Sequence, residues 1–184
     1  MKTNKIWLKV ICALLIAAAP LVGIGKAFAA STSTVSATIE PQNISVTVTD
    51  GSVAYGTVGL SGAEDTTSGG VNDSQTATNN GNIGEDFNIT STNATGGTDW
   101  TLAGTIGSNQ YKHSFCTSGG GSPDPCDSSP SWTAITSAGN YHALAADVDD
   151  SDTQKFDLKI ETPSSVSDYD EKSITVTVQA VIAD

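Results

Sequence analysis

Arginine is absent from this sequence, and eight lysines supply all of its fixed positive charge. Four of them, Lys2, Lys5, Lys9 and Lys26, fall within residues 1–29, a stretch that holds no acidic residue. The other four, Lys112, Lys155, Lys159 and Lys172, stand against all twenty acids, so residues 30–184 carry a net charge of −16. Phosphate backbones and anionic bilayers are both held by cations, which excludes nucleic acid and direct attraction to an anionic membrane. Histidine is almost as scarce, at His113 and His142 alone, and aromatics make up 6% of the chain. No GxSxG elbow occurs and no guanidinium is present to clamp an anion, so the chain is expected not to be an enzyme. A carboxylate pair for glycoside hydrolysis can be nominated almost anywhere among twenty acids, and the nomination therefore carries no information. After residue 29 no apolar run is long enough to cross a bilayer.

The one long apolar run lies at the start. "VICALLIAAAPLVGIG" follows a lysine-bearing segment and leads into "KAFAA", where Ala27 and Ala29 occupy the small-residue positions of an A-x-A site. This predicts a signal peptide over residues 1–29, cleaved before Ala30, and an extracellular or cell-surface location. An uncleaved anchor is the alternative, but Pro20, Gly23 and Gly25 interrupt the run short of the roughly 18 to 20 residues a spanning helix needs. The remaining 155 residues suit one ordinary domain with a real core.

Cys12 leaves with the leader, so Cys116 and Cys126 remain as a pair in an oxidising compartment, and the expectation is a disulfide. It closes "CTSGGGSPDPC", which is too rich in Gly and Pro to order itself by packing. A Cys2His2 metal set with His113 and His142 is the alternative, but its spacing does not match the usual paired-ligand knuckles.

Period-two alternation dominates the rest. Val35, Ala37 and Ile39 fall on one face, as do Ile44, Val46 and Val48. Phe87 with Ile89, Trp100 with Leu102, Tyr111 with His113 and Phe115, and Phe156 with Leu158 and Ile160 repeat the pattern. Ile174, Val176, Val178 and Ala180 complete it. Such runs predict strands with one buried and one wet face, separated by Gly, Pro, Asn and Asp clusters. "YHALAADVDD" is the nearest approach to an amphipathic helix, and its acidic end predicts no more than a turn. Eight to ten such strands bury their inner faces best as a two-layer antiparallel β-sandwich, immunoglobulin-like or jelly-roll-like.

Residues 30–40 are an expected edge strand within the molecule's own sheet, set apart by Pro41, or a donor strand that completes a neighbouring subunit's sheet. "NNGN", Asn79 to Asn82, reads as a tight hairpin turn, because Asn and Gly accept positive φ at low cost. Asp147, Asp149, Asp150 and Asp152 crowd hard oxygen ligands on one loop and are candidate Ca2+ ligands. Their spacing fits no EF-hand, so a solvated turn is the default and no cofactor is otherwise expected. Four N-x-[ST] sequons, at Asn43, Asn72, Asn88 and Asn93, are candidate glycosylation sites in an exported chain, although one this rich in Asn, Ser and Thr produces them by chance.

The order Tyr55-Gly-x-Val, turn, strand, Asn-x-Gly-Asn, strand resembles immunoglobulin-like surface domains of bacteria and archaea. The later run "DDSDTQKFDLKIETPSSVSDYDEKSITVTVQA" follows the same family's layout, and together they span about two thirds of residues 30–184. The resemblance implies a fold more than a function. Trp100-Thr101-Leu102 also resembles the motif of WxL domains, which hold proteins on Gram-positive walls. The second Trp-x-Leu that such domains carry near the C-terminus is missing here. The expected function is a non-catalytic structural or adhesive module of the cell surface, a filament or surface-layer subunit among the forms it takes. Its expected partners are a second copy of itself or cell-wall glycan, the latter through exposed aromatics such as Trp132, Tyr141 or Tyr55. A secreted hydrolase is the most remote reading.

Overall fold

The computed structural model describes residues 31–118 and 125–184. Residues 1–29, the expected signal peptide, lie outside them. The chain divides between Ile39 and Glu40. Of the first unit, residues 31–39 form no regular structure and their side chains are exposed, so the strand expected through Val35, Ala37 and Ile39 is not part of any ladder.

The second unit is a β-sandwich of ten strands among the described residues. They are β1 (Val46–Thr49), β2 (Ala63–Asp65), β3 (Gln75–Asn79), β4 (Glu85–Ser91), β5 (Thr101–Leu102), β6 (Gln110–Ser118), β7 (Thr133–Ile135), β8 (His142–Val148), β9 (Thr153–Glu161) and β10 (Val176–Ile182). A seven-stranded sheet runs β1-β3-β9-β6-β5, with β2 also on β9 and β7 on β6. A three-stranded sheet runs β10-β4-β8. Among these ten strands every pairing is antiparallel except the short β5–β6 contact, which is parallel and departs from the all-antiparallel expectation.

The alternation read from sequence sets the inner faces. Phe156, Leu158 and Ile160 of β9 and Tyr111 and Phe115 of β6 are buried opposite Phe87 and Ile89 of β4 and Leu144 and Val148 of β8. Burying a side chain of this size contributes about 1.5 to 3 kcal/mol each, which is what holds two polar-faced sheets together. The segment expected to be only a turn, Tyr141–Asp150, is mostly strand β8. Its apolar side chains are mostly alanine; Leu144 and Val148 are buried in the core and Ala145 packs against it.

"NNGN" is also different from expectation. It joins β3 of the large sheet to β4 of the small one, so it is a corner between layers, not a hairpin within one sheet. None of its residues has positive φ. The corner is built by Asn79, fully buried, whose Nδ2 donates to the Ile83 and Val148 carbonyls at 2.8 and 2.9 Å while its Oδ1 accepts from the Gly81 amide at 2.7 Å. Gly81 is required for close approach: a Cβ there would lie 2.4 Å from the Asn43 carbonyl oxygen and from Glu85 Oε1.

Candidate functional site

The chemistry-bearing side chains gather in three places. The first is between the sheets. His113, on β6 and 1% exposed, has Nδ1 3.0 Å from Ser91 Oγ of the small sheet and Nε2 2.9 Å from the Tyr55 hydroxyl. Tyr111 beside it gives its hydroxyl to the Thr92 carbonyl. Burial keeps His113 neutral and lowers its pKa to about 4. Burial likewise pushes the Tyr111 hydroxyl up to about 12, and it drives Tyr55 further up, so neither phenol ionises at ordinary pH. A neutral imidazole has one donor and one acceptor, and here each ring nitrogen has one partner. His113 therefore ties β6, β4 and the β1–β2 connection together, with both nitrogens occupied. Tyr55, expected among the exposed aromatics, is half-buried with its hydroxyl turned inward.

The second place is the outer face of the large sheet. Cys116 and Cys126 are joined as a disulfide. The Cys2His2 alternative falls with it, since a bonded pair has no thiolate to offer. The half-cystine Cys116 lies directly across from Asp157 on β9. Asp157 faces away from the core by alternation, yet it is fully buried, because the β2–β3 connection folds over it. Its Oδ1 accepts from Thr66 Oγ1 at 2.8 Å and from Ser74 Oγ at 2.7 Å. The same connection is tied to the helical turn Pro125–Ser128 through the Ser68 amide, 2.8 Å from Asp127 Oδ1. Nothing in the local pattern at Asp157 reveals this, since its partners lie 91 and 83 residues away.

The third place is the surface. Asp147, Asp149, Asp150 and Asp152 are all exposed, on or beside the turn from β8 to β9. The Asp152 amide donates to the Asp149 carbonyl at 3.0 Å, closing the turn with backbone atoms. Among the described residues no group of three or more His, Cys, Asp or Glu side chains is disposed to hold a metal ion. Of the sequons, Asn43, Asn72 and Asn93 are exposed and Asn88 is half-buried on β4. Trp100 is half-buried against the core with Lys172 Nζ 5.5 Å from its ring, and Lys159 Nζ lies 5.8 Å from Trp132. Lys172 also donates to Asp168 Oδ1 at 2.6 Å. That bond, with others from Thr98, holds the Asp168 carboxyl well below the usual range. Tyr141 is 43% exposed and Tyr169, not singled out from the sequence, 84%.

Among the described residues no helix is long and apolar enough to cross a membrane. No protein-family model, curated protein or solved structure matches the chain.

Proposed function

We propose that the chain is an exported, non-catalytic structural or adhesive β-sandwich of the cell surface. The observation that carries this reading is where the reactive side chains are spent. His113 has both nitrogens engaged between the sheets, and Cys116 and Cys126 are bonded to each other. Asp157 is buried as an anchor for a connection. These groups work as fasteners, which suits a module whose task is to keep its shape outside the cell. The disulfide is compatible with an oxidising compartment. The resemblance to immunoglobulin-like surface domains belongs to the same proposal.

Surface biotinylation and protease shaving of intact cells, followed by fractionation, test it. The chain is expected in the surface or medium fraction and shorter than the full sequence by its leader. Retention in the cytoplasm overturns the reading, and turnover in a broad esterase and glycosidase panel overturns its non-catalytic part.

Cell-wall glycan binding in the manner of WxL domains is the second reading, and the exposure of Tyr141 is what favours it. Trp100 supports it less, being half-buried against the core with Lys172 near its ring. Pull-down on purified wall glycan, with Trp100→Ala and Trp132→Ala beside the parent, decides it. Failure of the parent to be retained removes this reading.

A further inference from the structure

The small sheet ends in a strand that no second described strand extends by hydrogen bonds. β10 is hydrogen-bonded to β4 alone among the described strands. Thr175 and Ala183 exchange backbone or hydroxyl bonds with Thr92 and Gly84 at its two ends. Antiparallel pairs alternate between bonded and non-bonded. With Val176 opposite Ser91 and Ile182 opposite Glu85, Thr177, Gln179 and Val181 are then the residues that bond to β4. The N–H and C=O groups of Val176, Val178, Ala180 and Ile182 point along the free edge.

The side chains repeat the message. Val176, Val178 and Ala180 face the core but are only half-buried, and so are Val46 and Val48 on β1, the edge strand of the large sheet that approaches β10. The sandwich is open along this side. Edge strands in stable monomers are blunted by charge, proline or a bulge. β10, "VTVQAVI", has neither charge nor proline, and its ladder with β4 runs without a register shift.

The sequence holds one segment made to fill such an opening. Residues 33–39, "STVSATI", have apolar side chains at every other position, with Val35 and Ile39 each 93% exposed. They match the seven residues of β10 in length and, like it, include none of the chain's twenty acidic residues. In a chain this acidic, two uncharged strips are where copies approach without repulsion. The chain that follows the segment is anchored to the sandwich. Asn82 Nδ2 donates to Glu40 Oε1 at 3.1 Å and to the Pro41 carbonyl at 3.0 Å, and the Asn43 and Ser45 amides donate to Asn82 Oδ1 and Glu85 Oε1 at 2.8 and 2.7 Å. Pro41 keeps Glu40 out of the helical region, so the chain stays extended just after the segment ends.

We propose that residues 33–39 of one copy add as a strand to the free edge of β10 in a second copy, with Val35, Ala37 and Ile39 entering the open side over Val176, Val178 and Ala180. Each copy has one donor and one acceptor, and because the two are different segments the contact is heterologous, head-to-tail, and propagates into a filament. This rests on the surface-structural reading and supplies its partner, a second copy of the chain.

Sedimentation and electron microscopy of the purified exported chain test it with two variants. Val35→Asp with Ile39→Asp disables the donor, and because these residues lie outside both sheets the sandwich remains intact. Ala180→Pro disables the acceptor by deleting an N–H on the free edge, where proline is tolerated. A melting curve checks its fold, with Ala180→Lys as the replacement if Pro unfolds it. The parent is expected to grow in mass with concentration and to form filaments, each variant alone to stay monomeric, and an equimolar mixture of the two to stop at a heterodimer. A parent that is monomeric at every concentration overturns the proposal, and so do variants that assemble like the parent. A mixture that stays monomeric while the parent assembles overturns it as well. All three failures leave surface location, read by shaving of intact cells, untouched.

Discussion

The two edges of the small sheet, β8 and β10, flank the same central strand and are finished differently. On the β8 side the ladder with β4 breaks register twice, around Phe87. Asp147 sits there at φ 51°, its amide tied to Asp86 Oδ1 at 2.9 Å. An extra residue, a left-handed turn and an exposed carboxylate leave no regular row of N–H groups for another strand to read. On the β10 side the register is unbroken from Val176 to Ile182. One edge is closed to pairing by its backbone, and the other is kept regular. The same fold thus contains the means to blunt an edge and uses it on one side of this sheet only.

The largest effect comes from removing what the two edges share. Phe87 is fully buried on β4, opposite Ala145 of β8 and Ala180 of β10, small residues that leave room for its ring. Phe87→Ala is expected to cost about 3 to 5 kcal/mol by denaturant titration, because neither alanine can fill the void. Edge amides on both sides are then expected to lose protection together. If β8 alone loosened, the two edges would not be one cooperative unit.

Acid separates the sheets by another route. His113 joins the large sheet to Ser91 at the end of β4. Unfolded, it takes up a proton near pH 6.5; folded, it stays neutral down to about pH 4. Between those values the unfolded chain binds more protons, so stability falls as pH drops from 6.5 and the loss is complete below 4, at roughly 3 kcal/mol for a gap of this size. Many carboxylates also titrate in this range, so the expected signature is a difference. Melting temperatures of parent and His113→Gln are expected to converge as pH falls from 7 to 4. Parallel curves would mean that burial does not hold His113 neutral.

The covered face of the large sheet offers a contrast with the bare edge. Replacing Cys116 and Cys126 together with Ser reopens a loop with a sequence separation of 10. The expected loss is about 3 kcal/mol, with increased exchange in the β2–β3 connection and no change in association through β10.

How far the sequence discloses this structure follows from the range of the forces involved. Strands β4, β6, β9 and β10 are legible because each repeats apolar residues at every second position over a long enough run, and each becomes an inner face. β8 is not, because its bulges break the period at the place where Leu144 and Val148 need to be aligned. The Asn79 corner is misread as a hairpin for a different reason. Asn and Gly signal a change of direction, but only Val148, 69 residues distant, fixes which layer the chain enters next. The Tyr55–His113–Ser91 tie is invisible in the same way, whereas the disulfide is legible from compartment and spacing. Alternation in residues 33–39 is as clear as in any strand, and the chain's own sheets leave it unpaired.

The smallest expected effect tests whether the β8 edge is held shut by Asp147. A side chain branched at Cβ is strained at positive φ, while Asp and Gly tolerate it. Asp147→Val is therefore expected to destabilise by about 1 to 2 kcal/mol, and Asp147→Gly by distinctly less. The sharper readout is exchange at the edge. With Val the backbone is pressed towards ordinary strand geometry, so β8 amides are expected to exchange at rates closer to those of β10 in the monomer. If Asp147→Val also began to associate where the donor-disabled chain does not, the bulge would be the element that limits pairing to one edge. If the Val and Gly variants melted alike, the left-handed turn would bear no strain, and the closure of β8 would rest on its register shifts alone.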